Sequence, residues 1–116
     1  MKIRQQDAEC IHMAKDIISK NLRQHITIRD LAQEVGLNQF KLKQGFKQIF
    51  GMGVYTYLYQ ARMEKAKELL EDTDKSLKEI AAITGYKRIS SFIRSFKRIY
   101  KQSPALWRKA RSIILL

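Results

Sequence analysis

Apolar residues recur at helical spacing along almost the whole chain, and no run alternates apolar with polar residues over the length of a strand. Ala8, Ile11, Ala14, Ile17 and Ile18 share one face and predict a first helix over about residues 7–22. Thr27 is placed to cap a short helix ending near Val35, with Asp30 completing a weaker form of the capping box. Gly36 then predicts a left-handed turn, Leu37 a core plug and Asn38 the next N-cap. A third helix over about Gln39–Phe50 stops at Gly51, and a long helix over about Val54–Leu70 ends in the polar run EDTDK. Ser76, with Glu79 at the box position, opens a fifth helix. Gly85 turns the chain into a sixth helix over about Ile89–Tyr100. Pro104 opens a last helix in its first turn, where a missing N–H costs nothing. The expected fold class is all-α with seven helices.

The pattern is written twice. TIRDLAQEVGL at 27–37 matches SLKEIAAITGY at 76–86, and GFKQIF at 45–50 returns as SFKRIY at 95–100. The shift is 49 in the first stretch and 50 from Leu42 and Phe92 onward, so the second copy carries one extra residue in its turn. Phe46 pairs with Phe96, Lys47 with Lys97, Ile49 with Ile99, Val54 with Pro104 and Tyr57 with Trp107. Two copies are too few for a solenoid, which needs at least about three. The repeated unit of short helix, glycine turn and second helix is a helix-turn-helix. The expected organisation is a first unit over 1–52, a linker helix over 53–71 and a second unit over 72–116.

Charge narrows the partner. Lys and Arg number 23 against 11 Asp and Glu, a net +12 in 116 residues. Such an excess points to a polyanion, either nucleic acid or an anionic membrane surface. Cys10 is the only cysteine, so no internal disulfide can form and a reducing cytoplasm is expected. No apolar stretch approaches the ~18 residues of a membrane span, so no membrane partner is expected. MKIRQQDAEC lacks the apolar core of a signal peptide, and the closing IILL reads as a packed helix end rather than an anchor.

At these residues the chain resembles the AraC/XylS family of bacterial transcriptional regulators, specifically their C-terminal DNA-binding domain. The resemblance covers roughly Ala8–Arg108 and rests on LAQEVGL, GFKQIFG, RMEKAKELL, LKEIAAITGY, SFIRSFKRIY and the SP and WR that follow. The wording LNQFKLKQGFKQIFG is most similar to the branch that regulates siderophore uptake, although GMGVYTYL has no Thr after its first Gly. The resemblance implies seven helices in two subdomains, with the second helix of each unit lying in the major groove of double-stranded DNA. It also implies RNA polymerase as a partner and regulation of transcription initiation. Most members carry a separate N-terminal ligand or dimerisation domain. This chain is therefore expected to be a stand-alone regulator or an excised domain, the latter favoured, and monomeric unless an absent domain dimerises it. Lys101 stands where the family usually ends the helix with Gly, so that turn is expected to be adjusted or slightly weak.

Helical faces then sort the residues. On the third helix Leu42, Phe46 and Ile49 point to the core, leaving Gln39, Phe40, Lys43, Gln44 and Lys47 on the opposite stripe. Gln39 and Gln44 suit adenine, Lys43 suits guanine, and Phe40 can lie against a thymine methyl or be a first-turn core residue. Asn38 and Lys41 at the groove edge, with Lys47, are expected at phosphates. On the sixth helix Phe92, Phe96 and Ile99 are core, leaving Ile89, Ser90, Ile93, Arg94 and Lys97 outside. Ile89 and Ile93 either meet thymine methyls or pack on a partner or neighbouring helix. Arg94 is the candidate for a bidentate guanine contact, because its planar fork matches O6 and N7. Lys87, Arg88, Lys97, Arg98 and Lys101 are expected at phosphates, which fix register without reading sequence. One molecule would then read two major-groove segments, with recognition-helix centres about 34 Å apart.

Other chemistry finds little support. His12 and His25 lie 13 residues apart with no Cys or carboxylate at ligand spacing, so no metal site is expected. Cys10 lacks an activating base, and no acid–base pair or nucleophile constellation appears, so neither catalysis nor a cofactor is expected. RMEKAKELL reads as a packing seam with an internal ion pair. Tyr55, Tyr57 and Tyr59 alternate and cannot share a helical face, which disfavours an RNA stacking platform. A helical protein–protein adaptor or a non-specific RNA or anionic-surface binder remains the alternative. Neither explains the repeat and the basic stripes together.

Overall fold

The computed structural model describes residues 2–114, without the side chains of the last three of these. The described residues form α1 (Gln5–Lys20), α2 (Ile28–Val35), α3 (Gln39–Phe50), α4 (Val54–Asp72), α5 (Leu77–Ile83), α6 (Ile89–Tyr100) and α7 (Pro104–Ile114), with no strand among them. The chain divides into two compact units between Gln60 and Ala61, a point inside α4.

In the first unit Ile11, Ala14 and Ile18 of α1 meet Leu31, Ala32 and Val35 of α2, Leu42 and Phe46 of α3, and Val54 and Leu58 of α4. Leu37 is partly buried against this core, as a plug behind the glycine turn should be. Cys10 packs against the same core as a small apolar residue. α1 begins and ends two residues earlier than its apolar spacing predicts. Asn21 closes it by donating its side-chain amide to Ile17 O at 2.7 Å and its backbone N–H to Ile18 O at 3.1 Å. Thr27 caps α2 by accepting from the Asp30 N–H at 3.0 Å, and Gly36 follows at φ 77°, a conformation that favours glycine.

The second unit repeats this core. Met63, Ala66 and Leu70 of α4 are buried, as are Ile80 and Ala81 of α5, Phe92 and Phe96 of α6, and Pro104. Ile11, Ala14 and Ile18 correspond to Met63, Ala66 and Leu70 at a shift of 52, so the far half of α4 plays in this unit the part of α1 in the first. RMEKAKELL is accordingly a packing seam, with Lys65 and Glu68 paired at 3.5 Å on its outer side. Arg62 is buried, its guanidinium 5.8 Å from the Tyr86 ring centroid, and desolvation pulls its pKa down while Tyr86 opposes the shift.

α4 runs two residues beyond its predicted end. Its last carbonyls, which a helix leaves without partners, are held by two arginines of α7. Arg108 donates to Leu70 O, Thr73 O and Lys75 O, and Arg111 to Leu70 O, Glu71 O and Thr73 O. Ser76 and Glu79 form the full capping box on α5. The packing expected of the closing IILL lies outside the described residues. No helix among the described residues is long and apolar enough to cross a membrane.

Candidate nucleic-acid interface

α3 and α6 contain no Asp or Glu, although the chain holds 11. Each is anchored by an apolar face, and the polar and basic residues are left on the other.

On α3, Leu42, Gly45 and Phe46 are buried, and Gly45 lies so close to α1 that a Cβ there would collide with Ile11. Gln39, Phe40, Lys43, Gln44 and Lys47 are exposed, Phe40 by 66%. Phe40 is thus no core residue. Asn38 is exposed as well, but its side-chain oxygen accepts the Lys41 N–H at 2.7 Å to cap the helix. Only its amide N–H groups remain to donate to a phosphate. Lys41 is half-buried, with its ammonium 3.5 Å from the Asp7 carboxylate of α1. Helical periodicity within α3 carried no sign of that acid, which comes from another element.

On α6, Phe92 and Phe96 are fully buried, and Ile89, Ser90, Arg94, Lys97 and Arg98 are exposed, as are Lys87 and Arg88 before them. Ile93, expected outside with them, is half-buried. It follows Phe92 by one residue and precedes Phe96 by three, which sets it at the margin of the buried face. Arg88 occupies the N-cap without a side-chain hydrogen bond, unlike Asn38 on α3. Lys101 is exposed and takes the left-handed conformation itself, at φ 63° and ψ 9°. The turn is therefore not adjusted to avoid it. Its ammonium donates to Arg98 O at 3.0 Å, so it serves its own helix end before any phosphate.

The anchors repeat in aromatic detail. Phe46 lies 4.7 Å from Phe50 and 5.7 Å from Tyr57, centroid to centroid. Phe96 lies 4.7 Å from Tyr100 and 5.9 Å from Trp107. Edge-on and tilted arrangements at these distances are the favourable ones for aromatic pairs. Tyr57 is spent in this cluster, whereas Tyr55 is exposed. Among the described residues no three His, Cys, Asp or Glu gather where they could hold a metal ion.

The family model described as a helix-turn-helix domain matches residues 31–110. The chain is 30% identical over 103 residues to the bifunctional transcriptional activator and DNA repair enzyme AdaA of Bacillus subtilis, covering 89% of this chain and 49% of AdaA. It therefore spans about half the length of that curated relative. Among solved structures it is similar to the C-terminal domain of AraT, a response regulator of Geobacillus stearothermophilus, at 30% identity and TM-score 0.82, over 87% of this chain and 84% of that one. It shares the fold of the DNA-binding domain of AdpA, solved in complex with a target DNA, at 23% identity and TM-score 0.80, over 86% and 90% of the two chains. With two helix-turn-helix units in seven helices and a model matched over most of its length, the chain belongs to the helix-turn-helix domain family, in its AraC type.

Proposed function

We propose that this chain binds a specific duplex DNA sequence through two tandem helix-turn-helix units and so regulates bacterial transcription initiation, with RNA polymerase as its partner. The observation that carries the reading is the pair of acid-free helices, α3 and α6, each buried on a Phe anchor and exposed along a basic stripe, which on α3 also bears the amides of Gln39 and Gln44. Gln39, Phe40, Lys43 and Gln44 read bases from α3, and Ile89, Ser90 and Arg94 from α6, with Ile93 at the margin. Asn38, Lys41, Lys47, Lys87, Arg88, Lys97, Arg98 and Lys101 serve the phosphates, Lys41 and Lys101 after release from their internal partners. Because one chain carries both readers, it addresses two successive major-groove segments about one turn apart in this reading, as a monomer. No step of this reading is catalytic, and the relevant compartment is the cytoplasm, where promoters are.

Selection from random duplex DNA tests it and returns the site and its length together. A bipartite site is expected. With about 6–10 phosphates neutralised, log affinity should fall against log salt with a slope of roughly −5 to −9. A slope near zero, or an obligate palindrome bound only by a dimer, contradicts the proposal.

A further inference from the structure

We infer that each recognition helix reads the C5-methyl group of a thymine through one apolar side chain in its first turn, Phe40 on α3 and Ile89 on α6. The inference rests on the duplex DNA binding proposed above and names the chemical group recognised. Phe40 is 66% and Ile89 39% exposed, each among polar and charged neighbours. Neither ring nor branched chain is needed by its own core, which Leu42 and Phe46, or Phe92 and Phe96, already fill.

A matching surface must offer a small apolar group set among hydrogen-bond acceptors and negative charge. A protein partner large enough to cover Phe40 would also have to desolvate Lys43 and Gln44 beside it. The thymine edge in the major groove supplies the required mixture. Its methyl adjoins the O4 acceptor, the paired adenine adds N7 and N6, and phosphates flank both. Ile93 is the weaker candidate on α6, because part of its surface is already consumed within its own unit.

The experiment uses the full chain and the site obtained by selection, with each thymine replaced singly by deoxyuridine. That change keeps every base pair and removes one methyl. Wild-type binding should weaken about fourfold at one position in each half-site, the fold-change of one buried carbon, about 0.8 kcal/mol. Phe40→Ala should bind more weakly and no longer respond to deoxyuridine in the first half. Ile89→Ala should lose the response in the second half alone. Phe40→Gln should behave as Phe40→Ala, and circular dichroism should show both folded, since the position is exposed. A wild-type chain that stays sequence-specific yet ignores every deoxyuridine overturns the inference and assigns Phe40 to a protein contact, with DNA binding intact. A response of wild-type size in either Phe40 variant overturns it too. Binding without any sequence preference overturns the functional reading itself, and this inference with it.

Discussion

The indole N–H of Trp107 donates to Glu71 Oε2 at 3.0 Å, joining α7 to the end of α4. Its counterpart Tyr57 shares a hydroxyl hydrogen bond with Ser19 at 2.8 Å. The two bonds are versions of one strut, from the ring that backs each Phe anchor to the first helix of its unit. Trp107→Phe keeps a ring beside Phe96 but loses the bond and part of the indole's packing, which should cost at least about 0.5–1.5 kcal/mol. Trp107→Ala removes the ring as well and should cost about 3 kcal/mol or more. Thermal melts separate the two, and equal losses would mean that the hydrogen bond outweighs the packing.

Lys101 holds a backbone conformation that disfavours side chains by about 1–2 kcal/mol, only partly offset by its bond to Arg98 O. Lys101→Gly should raise stability by up to about 1 kcal/mol, because glycine's extra freedom in the unfolded chain offsets part of the relief. Chemical denaturation measures it, and a loss of stability would show that the ammonium's bond is the larger effect.

The capping box on α5 makes stability depend on acid. Glu79 Oε1 accepts from the Ser76 N–H at 3.3 Å and the Ser76 hydroxyl at 3.1 Å. These bonds, with Lys75 nearby, hold the Glu79 pKa below its ordinary value. A carboxylate depressed on folding stabilises above the unfolded value, about 4.3, and loses that contribution as pH falls through the folded value. Glu79→Gln should therefore be less stable than wild type near neutrality and converge with it in acid. Ser76→Ala should cost about 1 kcal/mol at neutral pH. Parallel curves for wild type and Glu79→Gln across the acid range would remove the carboxylate from the argument.

On DNA, base readers and phosphate holders should differ in kind. Arg94→Ala should cost about 1–3 kcal/mol and lose discrimination at one guanine. Lys43→Ala should relax a position about ten base pairs away. Lys97→Ala should weaken all sequences about equally and flatten the salt slope by about one. Repeating the random-duplex selection with each variant distinguishes these patterns, and a changed consensus for Lys97→Ala would reassign it to base reading.

Much of this fold was legible from local chemistry. Thr27, Asn38, Ser76 and Pro104 marked helix starts, and Gly36, Gly51 and Gly85 marked turns that the backbone realises at positive φ. The buried anchors of α3 and α6 followed from 3.6-residue periodicity, whereas the half-burial of Ile93 at the margin of α6 did not. What escaped was contact between elements distant in sequence. The correspondence of Ile11, Ala14 and Ile18 with Met63, Ala66 and Leu70 runs at a shift of 52, out of step with the 49 and 50 of the rest, and so was hidden. The carbonyl clamp of Arg108 and Arg111 and the Asp7–Lys41 pair span helices that no periodicity relates. A first-turn aromatic such as Phe40 satisfies either face, so periodicity does not decide its exposure.

α4 closes one core with Val54 and Leu58 and opens the next with Met63, Ala66 and Leu70. The duplication is therefore overlapping rather than end to end: the closing helix of one copy is the founding helix of the next. A gene fragment that begins after α4, at the boundary its helical punctuation suggests, discards the second copy's founding helix and leaves Phe92 and Phe96 facing water. A fragment that ends before α4 likewise strips Val54, Leu58 and Tyr57 from the first. Either copy survives dissection only if it takes its own part of the same helix with it, so the place to cut lies inside those nineteen residues, between Leu58 and Met63, and not at either end of the helix.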